Sequence, residues 1–404
     1  MTASPRRLLW VNHFSVAATE AGGTRHIEMA RALMPLGWQV TIAASDFNLQ
    51  RRVYTHRREG DRRTVHESID GVSIRWLYTR PYRQNDGRRV LNWLSFSRQL
   101  GREDWDSEAP DVIIGSSPHL FAAWAARRVA RRLRKPFVFE VRDLWPESLL
   151  VTGRRRSLGY HALGVLARSL YKSADRILVL AQGSADYLRD RGHPASKLVC
   201  VPNGVDTTAF GEAARPARTT LTFVYAGAHG PANGLEAVLG AAHRLLGDPS
   251  IRFLLVGDGP SKAGLAAMAE RLGLSNLEFR TPVPKDEMPA LLAEADAGLM
   301  VLREAPLFAF GVSPNKLFDY LAAALPVVGN VPGEVARMLA GAGAGVTAAD
   351  SSAGALAEAI RRLASLPPEE RAAMGQRGRA WVAAEHARPT LARRLDSMLR
   401  ELVP

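Results

Sequence analysis

Residues 297–328 read AGLMVLREAPLFAFGVSPNKLFDYLAAALPVV, and this stretch decides the fold class. It opens with an apolar run at Ala297–Leu302, passes through a loop of turn-forming residues, and continues into a helical pattern at Asn315–Ala324. A second apolar run, Pro326–Val328, follows at once. Strand, helix and strand in this order predict a βαβ unit, whose two strands lie parallel in one sheet.

The same alternation extends in both directions along the 404-residue chain. Apolar runs of the kind buried on both faces of a parallel sheet alternate with amphipathic stretches such as Thr24–Leu36 and Leu120–Leu133. The sequence therefore predicts an α/β protein with two tandem Rossmann-like domains facing a cleft, and ligands beyond the carboxyl ends of the strands. The other runs predicted as strands are Leu8–Val11, Val40–Ala43, Val72–Leu77, Val112–Gly115, Phe137–Val141, Ile177–Leu180, Leu198–Val201, Leu221–Ala226, Arg252–Val256, Leu277–Arg280 and Gly345–Thr347.

The length exceeds what one ordinary core accommodates, so two domains are expected. The turn-rich segment Cys200–Asp206 ends the first series of strands, and residues 211–219 have the composition of a linker. We therefore predict an N-terminal domain over residues 1–206 and a C-terminal domain over residues 207–387.

The net charge of +13 is unevenly distributed. Residues 1–206 hold 33 of the 53 Lys and Arg but 20 of the 40 Asp and Glu, so the whole excess lies in this half. A one-sided basic field indicates an anionic partner such as phospholipid, a lipid pyrophosphate or nucleic acid. The alternative is an Arg-rich overall composition, which would raise the charge of both halves.

The cysteine content and the hydropathy of the chain indicate its cellular compartment. The single cysteine, Cys200, excludes an internal disulfide and any multi-cysteine metal site. The N-terminal apolar run is shorter than that of a signal peptide, and no run approaches the ~20 apolar residues of a membrane-spanning helix. We expect a cytoplasmic protein that can rest peripherally on the inner face of the plasma membrane.

Two candidate features follow strands of the N-terminal half. Gly22 and Gly23 precede a helix, where glycines let backbone N–H groups approach a phosphate or sugar; a plain loop-to-helix turn is the alternative. Arg142, Asp143 and Glu147 follow the strand Phe137–Val141. They either orient a substrate hydroxyl and stabilise charge, or form a structural ion pair between Arg142 and one of the two carboxylates.

Two histidines also lie near predicted strand ends. His119 follows the strand Val112–Gly115, and His26 lies on the first helix, one turn beyond the paired glycines. Each is a candidate site residue, and each can equally serve as a structural residue at the start of a helix.

The C-terminal half carries two glycine-rich loops after consecutive strands. The segment Tyr225–Gly234 contains Gly227 and His229, and Val256–Pro260 repeats the device. Such loops at helix starts cradle phosphates, so two in one domain indicate nucleotide binding.

The strongest pattern is the one quoted first. Lys316 at a helix N-terminus suits a diphosphate, and Asp319 on the same face can accept hydrogen bonds from a ribose diol. A surface salt bridge between the two residues is the alternative, but it does not explain the Ser-Pro-Asn loop before them.

Basic segments mark the N-terminal half at residues 50–63 and 80–102. The second interleaves arginines, among them Arg88 and Arg89, with Leu91, Trp93 and Leu94. Basic residues among apolar and aromatic ones predict a membrane-surface element; a solvated Arg-rich surface is the alternative.

Together these motifs resemble family 4 of the retaining glycosyltransferases, which have the GT-B fold, and most of all the WbuB-type branch that builds O-antigen and capsular polysaccharides. The resemblance spans nearly the whole chain, and the order and spacing of the motifs make it specific. The motifs that carry it are Gly22-Gly23, Arg142–Glu147, Pro202–Asp206, Tyr225–Gly234, Val256–Pro260 and Ser313–Asp319.

The resemblance implies a hexosyl- or N-acetylhexosaminyl-type transfer from a nucleotide-diphosphate sugar, with UDP as the expected carrier, to a glycan or a polyprenyl-pyrophosphate-linked acceptor. The C-terminal domain would bind the donor, the N-terminal domain the acceptor, and the last helix, within residues 388–404, would pack back on the N-terminal domain. No cofactor, no metal and no nucleic acid are implied. The implied residues are Arg142 and Asp143 for catalysis, Gly23, Gly227, His229, Arg303, Ser313, Asn315, Lys316 and Asp319 for the donor, and Gly22, His26, His119 and Glu147 for the acceptor.

Within that resemblance the diphosphate would lie between Gly23 and Lys316, Asp319 would hold the ribose, and backbone groups near 280–283 would pair with the base. Departing phosphate would take the acceptor proton, so Arg142 and Asp143 would position substrates. The chain departs from the family where members commonly carry two glutamates eight positions apart, because Gly311 and Asp319 stand there. The Arg/Lys pair common after the first strand of the donor domain is also missing.

Two other functions stay open at the level of sequence. A nucleotide-sugar epimerase of the same fold would act on the donor alone. A catalytically degenerate scaffold or nucleic-acid binder would use the basic face without turnover, although no recognisable nucleic-acid module is present.

Overall fold

A computed structural model describes residues 5–16, 24–49, 51–58, 60–83, 87–151, 155–211, 218–305 and 311–403. The chain divides into two compact units. Unit 1 comprises Met1–Leu180, Ser184–Val201 and Arg388–Pro404, and unit 2 comprises Ala181–Gly183 and Pro202–Ala387. The division therefore falls before Pro202, a few residues ahead of the predicted boundary after Asp206.

Unit 1 is built on an eight-stranded sheet with the order β3-β4-β2-β1-β5-β6-β7-β8. All neighbouring pairs are parallel except β3 and β4, which are antiparallel. The seven strands predicted in this half are all present, with their ends shifted by a few residues. The strands are β1 (Arg6–Val11), β2 (Trp38–Ser45), β3 (Val65–Ile69), β4 (Val72–Leu77), β5 (Val112–Ser116), β6 (Phe137–Val141), β7 (Arg176–Val179) and β8 (Leu198–Cys200).

The extra strand, β3, was not predicted from hydropathy, because three of its five side chains are polar and it lies at the edge of the sheet. A turn signal was nevertheless present. Asp70 and Gly71 join β3 to β4 with positive φ angles of 51° and 82°, and an Asp-Gly pair between two strands is a strong hairpin signal.

Helices cover both faces of this sheet. α3 packs between α2 and α5, and α1 packs against α14, the last helix of the chain. Trp38 Nε1 donates a hydrogen bond of 2.7 Å to Asp396 Oδ1 of α14, and Leu391, Leu395 and Leu399 are fully buried in the core of unit 1. The helices of unit 1 are α1 (Arg25–Leu33), α2 (Gly87–Arg102), α3 (Leu120–Leu133), α4 (Ser148–Val151), α5 (Leu158–Ser173), α6 (Gln182–Arg189, which begins at the unit boundary) and α14 (Arg388–Leu402).

Unit 2 contains a fully parallel six-stranded sheet with the order β11-β10-β9-β12-β13-β14. This is the strand order of a dinucleotide-binding Rossmann sheet, in which the direction of winding reverses between the first and fourth strands, here β9 and β12. All six strands were predicted. They are β9 (Leu221–Ala226), β10 (Ile251–Val256), β11 (Leu277–Arg280), β12 (Ala297–Met300), β13 (Val327–Gly329) and β14 (Gly345–Thr347).

The helices of unit 2 bury an apolar stripe on each face of this sheet. The predicted helix after the Ser-Pro-Asn loop is α10, and it begins at Asn315 as expected. The helices of unit 2 are α7 (Leu235–Arg244), α8 (Lys262–Arg271), α9 (Met288–Ala293), α10 (Asn315–Ala322), α11 (Glu334–Ala342), α12 (Ala353–Ala364) and α13 (Pro368–Glu385).

The sheet orders fix where each unit can bind a ligand. In unit 1 the winding reverses between β1 and β5, and in unit 2 between β9 and β12. A crevice opens beyond the carboxyl ends of the strands at such a switch point. None of the helices in the described ranges is long and apolar enough to cross a membrane.

Candidate active site

Helix α10 is held close to β9 and β12 at the switch point of unit 2. The Tyr320 hydroxyl accepts a hydrogen bond of 2.8 Å from the backbone N–H of Ala226, the last residue of β9. Gly298 lets α10 approach β12, since a Cβ at this position would overlap the Tyr320 ring. These contacts fix the first turn of α10 against the carboxyl ends of the central strands.

Lys316, in that first turn, presents a cation without an acidic partner. Its Nζ donates to the Tyr225 hydroxyl at 2.9 Å and to Asn233 Oδ1 at 3.2 Å, and it lies 4.3 Å from the centroid of the Tyr225 ring. Among the described residues, no carboxylate lies within 4 Å of this ammonium. Burial lowers the pKa of Lys316 to about 7. An ammonium held in this way favours an anionic ligand, because a bound anion would offset its desolvation.

The loop after β9, residues 227–234, lies beside Lys316. A Cβ at Gly227 would lie only 3.1 Å from the Lys316 side chain, so the glycine leaves room for the lysine here. His229 is fully buried, and its backbone N–H donates to Asp258 O at 2.8 Å. Neither ring nitrogen has a hydrogen-bond partner in the described part of the chain. Burial lowers the pKa of His229, and Lys262 adds to the shift. The predicted donor role of His229 stays a prediction, but its ring lies inside the loop rather than on its surface.

The remaining predicted donor residues surround the start of α10. Arg303 is exposed, and its backbone N–H donates to Ala232 O at 2.9 Å. Asn315 is also exposed. Ser313 is committed to a structural contact, since its Oγ accepts from the Asn203 N–H at 2.8 Å and its carbonyl accepts from Asn203 Nδ2 at 2.6 Å.

Asp319 has a partner that the sequence did not suggest. Lys285 Nζ lies 2.6 Å from both carboxylate oxygens of Asp319, which is itself buried. The alternative salt bridge between Lys316 and Asp319 does not form. The Lys285 ammonium therefore neutralises the Asp319 carboxylate in this structure. The predicted contact with a ribose would use the lone pairs of the carboxylate oxygens that do not accept from Lys285.

A third lysine at this edge was also missed. Lys262 Nζ donates to Gly257 O at 2.7 Å and to Arg280 O at 3.1 Å, so it ties together the carboxyl ends of β10 and β11. Lys262 and Lys285 both follow strand ends, and that position is the signal that could have identified them. With Lys316, they give the edge three ammonium groups.

Gly311 explains one departure from the family pattern. Its φ angle is +106°, and a Cβ here would overlap Glu334 Oε2. Glu334 is buried, and its carboxylate accepts from the N–H of Gln182 at 3.0 Å. A glutamate at position 311 is therefore incompatible with this placement of Glu334, because both would occupy the same space.

Unit 1 has a buried charge network at its own switch point. Glu140, the fourth residue of β6, is fully buried and accepts from Arg25 Nε at 3.2 Å, from His26 Nε2 at 2.9 Å and from the Ser116 hydroxyl at 2.5 Å. Burial by itself raises the pKa of Glu140, but His26 and Arg25 outweigh it and hold the pKa well below its usual range. Asn12 Nδ2 lies 2.8 Å from His26 Nδ1 and occupies its other side.

This network also shows how His26 is held. Its ring is fully buried with both nitrogens hydrogen bonded, and burial lowers its pKa to about 4. These contacts let His26 fix the start of α1, and its predicted acceptor role stays a prediction. Glu140 lies two residues before Arg142, but its contacts with α1 could not be inferred from sequence.

His119 caps α3, as its alternative interpretation predicted. Its Nδ1 accepts a hydrogen bond of 2.8 Å from the Ala122 N–H, and its ring stacks on His13 at 4.7 Å. Its Nε2 is buried without a partner among the described residues. Trp93 packs edge-on against the ring at 5.0 Å. The acceptor role of His119 stays a prediction, and Trp93 faces inward rather than towards a membrane.

Arg142, Asp143 and Glu147 follow β6 as predicted, but the alternative ion pair is not formed within 4 Å in the described structure. Arg142 is half-buried, and its backbone N–H donates to the Ser117 hydroxyl at 2.8 Å. Asp143 is exposed and Glu147 half-buried. Burial and the nearby Glu147 together raise the pKa of Tyr187 to about 12. Arg142 and Asp143 are thus available to a ligand.

Two further predictions are limited by what the structure describes. Gly22 and Gly23 lie outside the described residues, so their phosphate-binding role stays a prediction. Within the described ranges, no group of three or more His, Cys, Asp or Glu side chains is placed to hold a metal ion.

Comparison with protein families gives two matches in tandem. Residues 22–204 match the glycosyl transferase 4-like domain, and residues 220–365 match glycosyl transferases group 1. The two matches cover most of unit 1 and most of unit 2, respectively.

Curated relatives carry glycosyltransferase names. The chain is 28% identical over 276 residues to the putative colanic acid biosynthesis glycosyl transferase WcaI of Escherichia coli (strain K12), a match covering 63% of this chain and 66% of WcaI. It is 25% identical over 243 residues to the probable glycosyltransferase WbjE of Pseudomonas aeruginosa, covering 57% of this chain and 60% of WbjE. The chain thus spans less than two thirds of these relatives' length.

Solved structures share the fold. Sucrose-phosphate synthase from Thermosynechococcus elongatus superposes with a TM-score of 0.77 at 16% identity, covering 98% of this chain and 99% of that one. HepE from Anabaena, solved in complex with UDP-glucose, gives a TM-score of 0.70 at 16% identity, covering 98% and 100%. With a GT-B architecture of two Rossmann-like units and both family domains in order, the chain belongs to the family 4 GT-B glycosyltransferases.

Proposed function

We propose that this glycosyltransferase moves a sugar from a nucleotide-diphosphate sugar, with UDP as the carrier, to a glycan or polyprenyl-pyrophosphate-linked acceptor in cell-surface polysaccharide synthesis. The anomeric configuration is retained. The observation that carries the proposal is the Lys316 ammonium, which stands at the switch point of unit 2 with Tyr225 and Asn233 as its partners and no carboxylate within 4 Å in the described residues.

The electrostatics of this edge support an anionic donor. Lys316 lies in the first turn of α10, where the helix dipole adds positive potential, and the exposed Arg303 lies at the end of β12. Lys262 adds a third cation, and its hydrogen-bond partners in the described part of the chain are carbonyl oxygens. A diphosphate would neutralise such an edge, as phosphates do at helix N-termini.

The comparisons support the class of donor and the biological role. HepE, of the same fold, binds UDP-glucose, and the names of WcaI and WbjE connect those relatives with colanic acid biosynthesis and with glycosyl transfer. We extend these properties to this chain as part of the proposal.

The proposed reaction is a substitution at the anomeric carbon. The bond between that carbon and the β-phosphate oxygen breaks, and a bond to the acceptor hydroxyl oxygen forms on the same face of the sugar. The acceptor proton passes to the departing phosphate oxygen, so no protein base is required. Negative charge grows on the diphosphate as the bond breaks, and a preorganised Lys316 ammonium would stabilise it.

Unit 1 would supply the acceptor side. Arg142 and Asp143 lie at the carboxyl end of β6 without a mutual ion pair, which supports a role in positioning the acceptor or polarising the sugar.

The excess positive charge of the N-terminal half supports an anionic lipid surface as a partner. On α2, Leu91 and Leu94 are 45% and 44% exposed between the exposed Arg88 and Arg98, and this stripe supports contact with the inner face of the plasma membrane.

The deciding experiment is thermal stabilisation by UDP, GDP, ADP and their common sugars, because a ligand that binds the native state raises the melting temperature by mass action. We expect a clear shift with uridine nucleotides that disappears in Lys316→Met. Lys197→Met serves as the matched control and should keep the shift, because this half-buried lysine of unit 1 also donates to backbone carbonyl oxygens but lies outside the donor edge. No shift with any nucleotide would overturn the donor assignment.

Product analysis separates transfer from epimerisation. Incubation with UDP-sugar alone should leave the sugar unchanged, whereas addition of a lipid-linked acceptor should release UDP. Release of a new sugar epimer without acceptor would favour the epimerase, and polyanion binding without donor consumption would favour the scaffold.

A further inference from the structure

The first half of α5 presents an unpartnered apolar surface to solvent. Leu158 is 90% exposed and Val165 is 58% exposed. They lie seven residues apart, with the exposed Ala162 between them, so all three share one face of the helix. We call these three residues the α5 apolar surface. Exposure of this degree by large side chains on a helix marks an interaction site.

The second half of the same helix is fixed. Leu170 is fully buried, and Arg127 of α3 donates to Ser169 Oγ at 2.8 Å and to Ser173 Oγ at 3.1 Å. The helix is therefore anchored at its C-terminal half while its N-terminal half projects. The Ser157 hydroxyl accepts from the Tyr160 N–H at 3.2 Å and caps the projecting end. The projecting end is thus a capped helix and not a frayed terminus.

The charge of this segment selects the partner. Residues 158–167 read LGYHALGVLA and contain no charged residue, while residues 148–174 contain three arginines before them, Arg168 and Lys172 after them, and no acidic residue. Arg155 and Arg156 are exposed immediately before the helix. An apolar surface flanked by cations and free of carboxylates matches the interface of an anionic bilayer.

The position of α5 in unit 1 supports the same partner. α2, α3 and α5 form one helical layer, because α3 packs against both of the others. Each of the three helices follows a strand of the parallel set, so their N-terminal halves all lie towards the carboxyl edge of the sheet. Leu91 and Leu94 of α2 and the α5 apolar surface therefore lie towards the same edge, where ligands bind in this fold.

From this arrangement we infer that the α5 apolar surface, together with Arg155 and Arg156, docks on an anionic lipid bilayer. The inference rests on the proposed function in that a lipid-linked acceptor would be reached from such a surface. It goes beyond that proposal because it assigns the membrane contact to α5, which lies outside both basic segments of the sequence, residues 50–63 and 80–102.

The test is flotation of the full chain with vesicles of phosphatidylcholine containing about 30% phosphatidylglycerol. Leu158→Ser combined with Val165→Ser should weaken vesicle binding by about tenfold or more. Arg155→Ser combined with Arg156→Ser should weaken it and reduce its sensitivity to salt. The matched controls are Met34→Ser, which removes a 39% exposed apolar side chain outside both basic segments, and Arg252→Ser with Arg271→Ser in unit 2. These variants should bind as the unchanged protein does.

A second measurement reports insertion directly. Cys200 is the single cysteine, so a Cys200→Ser background with Leu158→Cys carries one environment-sensitive label on the α5 apolar surface. Anionic vesicles should shift its emission to the blue, while a label at Met34→Cys in the same background should not respond. An unchanged emission at position 158, or full vesicle binding by the Leu158/Val165 variant, would overturn the inference. Loss of a dimer in that variant without a vesicle effect would assign the surface to a second copy and overturn it equally.

Nucleotide-induced stabilisation, measured on the same variants, separates this inference from the proposed function. A variant that keeps the uridine-nucleotide shift but no longer floats supports the docking surface. A protein that floats but responds to no nucleotide overturns the proposed donor and leaves the docking surface standing.

Discussion

The carboxyl edges of the two sheets treat charge in opposite ways. In unit 1, Glu140 is fully buried and meets Arg25, His26 and Ser116, so the charges of that edge compensate one another internally. In unit 2, Lys316 is desolvated without a carboxylate partner in the described residues, and only Lys285 is neutralised, by Asp319. Similar topology thus produces a self-contained edge in one unit and an edge that favours an anion in the other.

The difference indicates whether each edge contributes to stability or to ligand binding. A satisfied network of buried charges fixes geometry, and removing one member leaves the others without compensation. A desolvated, unpaired cation lowers stability by itself and is retained where a ligand offsets the cost. We therefore expect substitutions in unit 1 to change stability and substitutions in unit 2 to change binding and turnover.

The largest effect should come from Glu140→Gln. The amide cannot compensate Arg25, so the loss should approach the ~3–5 kcal/mol typical of breaking a buried ion pair. It is measured as a fall in melting temperature and in the midpoint of urea unfolding. Glu108→Gln is the control, because that carboxylate is 63% exposed where it pairs with Arg75, and exposed pairs contribute about 1 kcal/mol at most. Equal effects of the two substitutions would contradict the comparison.

Lys316→Met should lower turnover about 10²- to 10³-fold, with stability maintained or increased because a partly buried cation is replaced by an apolar chain of similar length. Steady-state kinetics and thermal unfolding of the same preparation provide both values. Lys316→Arg is the informative companion, since it keeps the charge and should retain part of the activity. Turnover close to normal in Lys316→Met would remove the leaving-group assignment.

Donor affinity should depend on pH through Lys316. Its pKa of about 7 in the unliganded protein means that the ammonium loses its proton as the pH rises above 7, and the attraction to a diphosphate is lost with it. Binding of a nucleotide sugar, whose diphosphate does not titrate in this range, should therefore be constant below about pH 6 and weaken by up to tenfold per pH unit above 7. Calorimetry between pH 6 and 9 checks this, and the slope should be absent in Lys316→Met.

The smallest effect concerns the pair of Lys285 and Asp319. Lys285→Met removes the ammonium that lies 2.6 Å from the Asp319 carboxylate, close to the predicted diphosphate position, so donor affinity should fall about three- to tenfold by charge repulsion. Adding Asp319→Asn should restore part of the loss, and the double-mutant cycle isolates the coupling between the two side chains. If the two single substitutions add without coupling, the pair has no role in donor binding.

Much of the framework could be predicted from sequence because parallel strands leave continuous apolar runs. All six strands of unit 2 and seven of the eight in unit 1 were predicted, and β3 was missed because an edge strand need not be apolar. Helix α10 and Lys316 followed from the Ser-Pro-Asn loop and the pattern after it. Helix α11 was missed, although its first residue, Glu334, determines what can stand at position 311.

What failed depended on which side chains meet in space. Segment 80–102 was interpreted as one basic and aromatic surface, but α2 divides it: Leu91 and Leu94 face solvent, while Trp93 packs against His119 and Phe96 is fully buried. Arg57, part of the other basic segment, forms a buried ion pair with Asp46. Composition alone does not separate the two faces of a helix from a uniform surface.

By itself the sequence determined the α/β class, the two domains, the charge asymmetry and the glycosyltransferase motifs, since hydropathy periodicity, turn residues and net charge are local properties. Tertiary structure decided that Glu140 compensates Arg25, that Lys285 rather than Lys316 neutralises Asp319, and that the first half of α5 is uncovered. The physical reason is that a side chain's protonation and partners depend on its desolvation and on charges brought near it by distant segments, and neither is encoded in the spacing of its neighbours along the chain.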